Sequence, residues 1–188
     1  RYIKDLKMGK YIYGEWLRPI YHYLSTLKSN EICYEIIIPI IIAIITSFIY
    51  YEFDFVILAL LKLRDLLPSS LSILIGFTIM CITILVTSDS KSLAIIRKKN
   101  CDNRLIGHKE ITVFRWLLIL FSHSLLMELI TLFLVFFSAF VIPLISSLAV
   151  GIILLFCETF LLSHILFLMI RSMTNLYLLF RIESEGVE

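Results

Sequence analysis

The sequence has no catalytic signature: no HExxH, no GxSxG and no paired-Asp motif occurs in its 188 residues. This lowers the prior for an enzyme, including an intramembrane one. It has only four cysteines, Cys33, Cys81, Cys101 and Cys157. None forms a CxxC pair or stands at zinc-finger distance from a His, so a metal finger and a thiol-redox motif are both disfavoured, and lone reduced thiols are expected. No signal-peptide pattern opens the chain, because residues 1–28 are polar and aromatic. The start at Arg1 rather than Met is expected to leave the native N-terminus upstream. No charge of either sign dominates, the formal net charge being +2.

What the chain has is apolar residues, 60% of the total, with a mean hydropathy of +0.95. A soluble domain holds roughly 45–50%, and a run of about 20 marks a transmembrane helix. Four such runs are present, at 36–51, 68–87, 114–142 and 144–170. They predict an all-α integral membrane protein with four transmembrane helices within 32–170, plus amphipathic interfacial segments. The first run reaches only about 24 Å at 1.5 Å per residue, slightly short of the hydrocarbon thickness, so its helix is expected to begin near Ile32 or to continue past Glu52. Pro68, followed by Ser69 and Ser70, reads as the start of the second span. The last two runs exceed what a bilayer needs and predict tilt or protruding ends.

The distribution of Lys and Arg orients the spans. Six lie in the first 31 residues, six between the second and third spans with a seventh, Arg115, at the start of the third, and two (Arg171 and Arg181) in the tail, 171–188. Only Lys62 and Arg64 lie between the first and second spans. Both termini inside therefore leave fifteen positive charges in the cytosol and two outside. The expected location is a bacterial inner membrane.

Three segments flank the spans. Residues 11–27 interleave Tyr11, Tyr13, Trp16, Tyr21 and Tyr23 with charge at helical spacing. An amphipathic helix on the inner leaflet is expected there, with a docking face for a cytosolic partner as the sharper alternative. Residues 53–67, FDFVILALLKLRDLL, are too short to cross alone and too apolar for an ordinary loop. They predict an outer interfacial or re-entrant segment, a connector or the place where an external stimulus is felt. The linker 88–113 carries Arg97, Lys98 and Lys99 in a row, which suits anionic lipid. Without interleaved aromatics it is a poor nucleic-acid surface. Trp16 and Tyr23, with those three basic residues, are the candidate partner or lipid contacts. Arg115 and Trp116 sit at a span end and receive no special role.

The candidate site lies inside the spans. Glu128 and Glu158 each interrupt an apolar run, fifteen residues before and fifteen after Pro143. Intramembrane carboxylates are costly and point to function or assembly. If Pro143 marks the turn of an antiparallel hairpin, the two lie at one depth, and at least one should be protonated or hold a cation. If the turn centres on Ser146, they separate by roughly one helical turn. His123 and His164 mirror each other similarly, and Ser124 and Thr131 share the face of Glu128. Three readings compete: hydrogen bonds that fasten helices or protomers, a proton or cation path, and a haem held by the two histidines. No metal or other cofactor is expected. Ser72 with Gly76, and Ser147 with Gly151, are small-xxx-small pairs for packing within the chain or between copies.

The stretch LSILIGFTIMCITILVTSDSKSL, at 71–93, is an apolar span with an early Gly76, Thr-rich toward its inner end and followed by a charged linker. With four spans and a basic linker, the chain resembles the membrane subunits of Kiwa anti-phage systems. That resemblance implies an oligomeric inner-membrane sensor working with a cytosolic effector, and it carries no functional residue over. The expected function is therefore non-enzymatic. The chain would form a homo-oligomer, such as a tetramer, that senses envelope disturbance during phage infection and signals to a cytosolic protein. The alternative is a small oligomeric ion or proton channel using Glu128 and Glu158.

Overall fold

The computed structural model describes residues 17–106, 109–142 and 147–184. Trp16 and Pro143 lie outside them. The described chain is all-α, with one two-stranded antiparallel hairpin among its described residues. Helix α1 covers Arg18–Thr26, and α2 is the helical run Ser29–Glu52. Helix α3 is Val56–Thr87 and α4 is Lys91–Lys98. Strands β1 (Asn100–Ile106) and β2 (Lys109–Thr112) lead into α5, Val113–Val141, and α6 is Leu148–Ser184. Four of these helices, α2, α3, α5 and α6, are long and apolar enough to cross a membrane.

Local chemistry sets the boundaries. The α2 helix begins earlier than the apolar run because Glu31 caps it, accepting the Lys28 backbone N–H at 2.9 Å. Helix α3 absorbs the expected outer segment 53–67, so that segment is no separate interfacial element. The turn is made by Phe53–Phe55, with Asp54 at φ 54°. Asp tolerates this left-handed conformation better than most residues. Pro68 sits inside α3 rather than at its start. Pro68 has no N–H for the Arg64 carbonyl four residues back, while the Ser69 and Ser70 hydroxyls donate to the Leu66 carbonyl and Ser72 to the Pro68 carbonyl, on the turn beside the gap. The linker is also folded: the Ser90 hydroxyl accepts from Leu93 N–H to start α4, and the Thr112 hydroxyl accepts from Arg115 N–H to start α5. Helix α6 passes Arg171 without a break, so residues 171–184 of the tail are helical.

Helix α3 packs on α5, α2 on α6, and α5 on α6. Three apolar clusters stack along the bundle. One, with Leu93, Ile111, Leu120 and Phe121, lies at the hairpin end. A second, Leu71, Val135 and Ile165, lies in the middle, and a third, Val56, Leu60 and Leu155, at the far end. The outer faces are apolar as well: Ile73, Phe133, Phe140 and Ile153 are exposed. Meanwhile Thr78, Ser124, Glu128, Thr131, Ser138 and Glu158 are fully buried. Apolar groups outside and polar groups inside suit a multi-pass membrane protein.

The two small-residue pairs separate. A Cβ at Gly151 would stand 3.3 Å from Val56 Cγ1 and 3.5 Å from Ile57 Cδ1, so Gly151 admits close contact with α3. Ser147 is exposed. Ser72 and Gly76 are exposed too, with nothing within 4 Å of a Cβ at Gly76, so that pair does not pack within the chain. Gly151→Leu is expected to cost about 1–3 kcal/mol through overpacking, and Gly76→Leu to leave one chain's stability within about 0.5 kcal/mol. Thermal unfolding of the two variants in detergent checks this.

Candidate functional site

The site grows from an irregularity in α2. Cys33–Ile37 is π-helical, and such single-turn stretches are frequent at functional sites. Pro39 follows, and it has no N–H to give to the carbonyl four residues back. That carbonyl belongs to Glu35. It accepts instead from His164 Nδ1 of α6, at 2.6 Å. Glu35 therefore reaches into the bundle twice, through its backbone and through its side chain.

The side chain is 3% exposed and ion-paired. Tyr23 of α1 donates its hydroxyl to Glu35 Oε2, and Arg171 of α6 donates from Nη1 to Oε1 at 2.5 Å. Arg171 Nη2 also reaches Glu31 Oε1 at 2.7 Å. Arg104 of β1 donates to both oxygens of Glu31 and to the Thr26 carbonyl at 2.7 Å. Trp116 stacks under the two guanidinium groups, 4.4 Å from that of Arg104 and 5.2 Å from that of Arg171. Two carboxylates thus face two guanidiniums, so the cluster is neutral as a whole. It ties α1, α2, β1, α5 and α6 together at the hairpin end.

From this cap a polar chain descends into the bundle. His164 Nε2 lies 3.3 Å from His123 Nε2, and the His123 ring stacks on Tyr23 with centroids 3.8 Å apart. A carbonyl only accepts, so His164 Nδ1 carries the proton. With both rings neutral, His164 Nε2 is then the acceptor, His123 Nε2 the donor, and His123 Nδ1 a bare lone pair. That last atom is buried without a partner. The geometry also tests the haem reading. Nitrogens binding one metal from opposite sides stand about 4 Å apart, twice a metal–nitrogen bond. A direct contact at 3.3 Å leaves no room for iron and porphyrin, so the haem reading does not fit. Among the described residues no group of three His, Cys, Asp or Glu side chains is arranged for a metal.

Glu128 and Glu158 are both buried but do not meet. Glu128 Oε1 accepts from Thr78 of α3 at 2.9 Å and from Ser124 at 3.1 Å, while Oε2 has no partner. Neither oxygen of Glu158 has a hydrogen-bond partner. The Ser138 hydroxyl lies beside Glu158 but donates to the Val135 carbonyl at 2.9 Å. Glu158 thus faces Ser138, which lies further along α5 than Glu128 by ten residues. The two carboxylates therefore sit at different depths and share no proton. Thr131 turns to the Met127 carbonyl at 2.8 Å rather than to Glu128.

The other sequence candidates fall elsewhere. Tyr23 is 3% exposed and belongs to the cap, so it is no partner or lipid contact. Burial first, and its hydrogen bond to Glu35 second, hold its hydroxyl well above the ordinary tyrosine range. Folding then favours the protonated form. Stability is full below about pH 10 and falls as pH rises beyond it, because the unfolded chain releases that proton first. Denaturant unfolding between about pH 9 and pH 11 is expected to show this loss in the wild type and not in Tyr23→Phe. Arg97 folds back onto the end of α3, donating to the Val86 and Ser88 carbonyls at 3.3 and 3.4 Å, with its guanidinium 5.3 Å from the Phe114 ring centre. Lys98 and Lys99 are exposed. Sequence reasoning missed Glu31, Glu35, Arg104 and Arg171, and gave Trp116 no role. The available signal was the pair Glu31 and Glu35, four apart at the head of an apolar run, with Pro39 four further on.

Comparison with protein-family models, with curated proteins and with solved structures finds no match for this chain.

Proposed function

We propose that this chain is a non-enzymatic, oligomeric sensor of the bacterial inner membrane, with both termini in the cytosol. It responds to membrane or envelope disturbance, as in phage infection, and passes the response to a cytosolic protein partner. The observation that carries this reading is Glu35. Its carboxylate joins the ionic cap formed with Arg171, while its carbonyl holds His164 inside the bundle. A shift among the spans would be felt at α1 and the hairpin, the elements that the Lys and Arg distribution assigns to the cytosol. Lys98 and Lys99 supply an exposed basic surface there for a partner or for anionic lipid. The exposed Ser72 and Gly76 face supports contact between copies. The resemblance to Kiwa membrane subunits supports the same reading.

Tagged chain, solubilised from its native host with and without membrane stress, tests it. A cytosolic protein that co-purifies, and whose yield changes in Glu35→Gln, is the expected result. A chain that brings down no partner under either condition removes the signalling reading.

A second reading, an ion or proton channel, has its own support. Glu128 Oε2, His123 Nδ1 and both Glu158 oxygens are buried without partners along α5 and α6. Liposomes holding Glu128→Gln and Glu158→Gln decide it: flux unchanged in both variants rules the channel out.

A further inference from the structure

Between α1 and the head of α5 lies a groove of about 300 Å³. That volume is at the small end of ligand sites. It is lined by Arg18 and His22 of α1 and by Arg115 and Ser122 of α5, with Pro19 and Leu118 as apolar walls. None of the described residues that line it is acidic. Arg115 is exposed. His22 Nδ1 is buried without a partner, which leaves Nε2 as that ring's atom for a ligand. Burial first, and then the charges of Arg115 and Arg18, hold the His22 imidazole below its ordinary range. Two guanidiniums close enough to depress an imidazole make the groove positive.

Its depth identifies the anion. Helix α5 has 29 residues, about 43 Å at 1.5 Å per residue, against a hydrocarbon layer of about 30 Å. Centred on that layer, it carries Arg115 in its first turn up to the headgroups, while Leu118 and Ser122 stand about one and two turns deeper. The groove thus follows a phospholipid from its phosphate down to its acyl chains. A phosphodiester has only acceptors, and the lining supplies donors: guanidinium N–H groups, an imidazole and a hydroxyl. A headgroup ammonium or choline meets no carboxylate there, and adds a positive charge beside two guanidiniums. We propose that the groove holds one anionic phospholipid, such as phosphatidylglycerol, with its phosphate on Arg115 and Arg18, its ester oxygens toward His22 and Ser122, and an acyl chain along Leu118. The proposal requires only that the four spans lie in a bilayer, and stands apart from the sensor reading.

The test is reconstitution in nanodiscs containing equal amounts of phosphatidylglycerol, phosphatidylethanolamine and phosphatidylcholine, release into mild detergent, and native mass spectrometry of retained lipid. Detergent removes the diffuse attraction of a charged surface, so the lipid that stays is held by contacts. Retention of phosphatidylglycerol about fivefold above either zwitterionic lipid is expected, the worth of one well-placed guanidinium. Arg115→Gln, and separately Arg18→Gln, should abolish most of that preference. Lys98→Gln removes the same charge from an exposed position outside the groove and should lower it by less than about twofold. Thermal unfolding in detergent checks that the variants are folded. Equal retention of all three lipids, preference for a zwitterionic one, or equal effects of Arg115→Gln and Lys98→Gln would overturn the assignment. In nanodiscs of phosphatidylcholine alone with inorganic phosphate in solution, no phosphate adduct is expected. Retained phosphate would give the groove to a free anion and overturn the lipid.

Discussion

Arg171→Met should destabilise the chain by about 3–5 kcal/mol, lowering the unfolding midpoint in detergent by of the order of 10 °C. The size follows from what the substitution leaves behind. Glu35 is 3% exposed and would keep only the Tyr23 hydroxyl as a partner. Glu31 would retain Arg104. Breaking a buried ion pair from one side strands a charge, whereas removing both members strands none. The double variant Arg171→Met with Glu35→Gln is therefore expected to lose less than Arg171→Met alone. A double loss equal to the sum of the single losses would show that the pair is not coupled.

Glu128→Ala ranks next, at about 2–4 kcal/mol. It leaves a cavity in a fully buried position and strips the Thr78 and Ser124 hydroxyls of their shared acceptor. Glu128→Gln keeps a carbonyl oxygen for those hydroxyls and nearly the same volume, so it should lose under about 1.5 kcal/mol. Measured together by thermal unfolding, the two variants separate the packing role of this side chain from its charge. Equal losses in both would assign the stabilisation to the carboxylate charge.

Legibility in the sequence followed the range of the physics. The third span was read almost to the residue, as 114–142 against Val113–Val141, because an unbroken apolar run is a local signal. The second span was read too short because Pro68 was taken as a start, while the helix Val56–Thr87 runs through it. The first was read as 36–51 with a helix expected to begin near Ile32, and it begins at Ser29, because Arg104 and Arg171 neutralise Glu31 and Glu35 at its head. Those partners stand 73 and 136 residues away, beyond any spacing rule. His123 and His164 were legible as a mirrored pair, and the structure brings them into contact. Glu128 and Glu158 mirrored each other equally well about Pro143. They fail to meet because Glu158 packs beside Ser138, ten residues past Glu128 on α5, which is about 15 Å at 1.5 Å per residue.

Helix α6 runs 37 residues without interruption, about 55 Å at 1.5 Å per residue, against a hydrocarbon layer of about 30 Å. It begins beside Val56 at one end of the bundle and carries His164 and Arg171 to the other. Such a rod is a lever. A tilt of about 5° pivoting at Gly151 would sweep its distal end sideways through about 4 Å. Bilayer thinning or a neighbour's insertion, each able to tilt a long span by that amount, would thereby be magnified at the opposite face of the membrane.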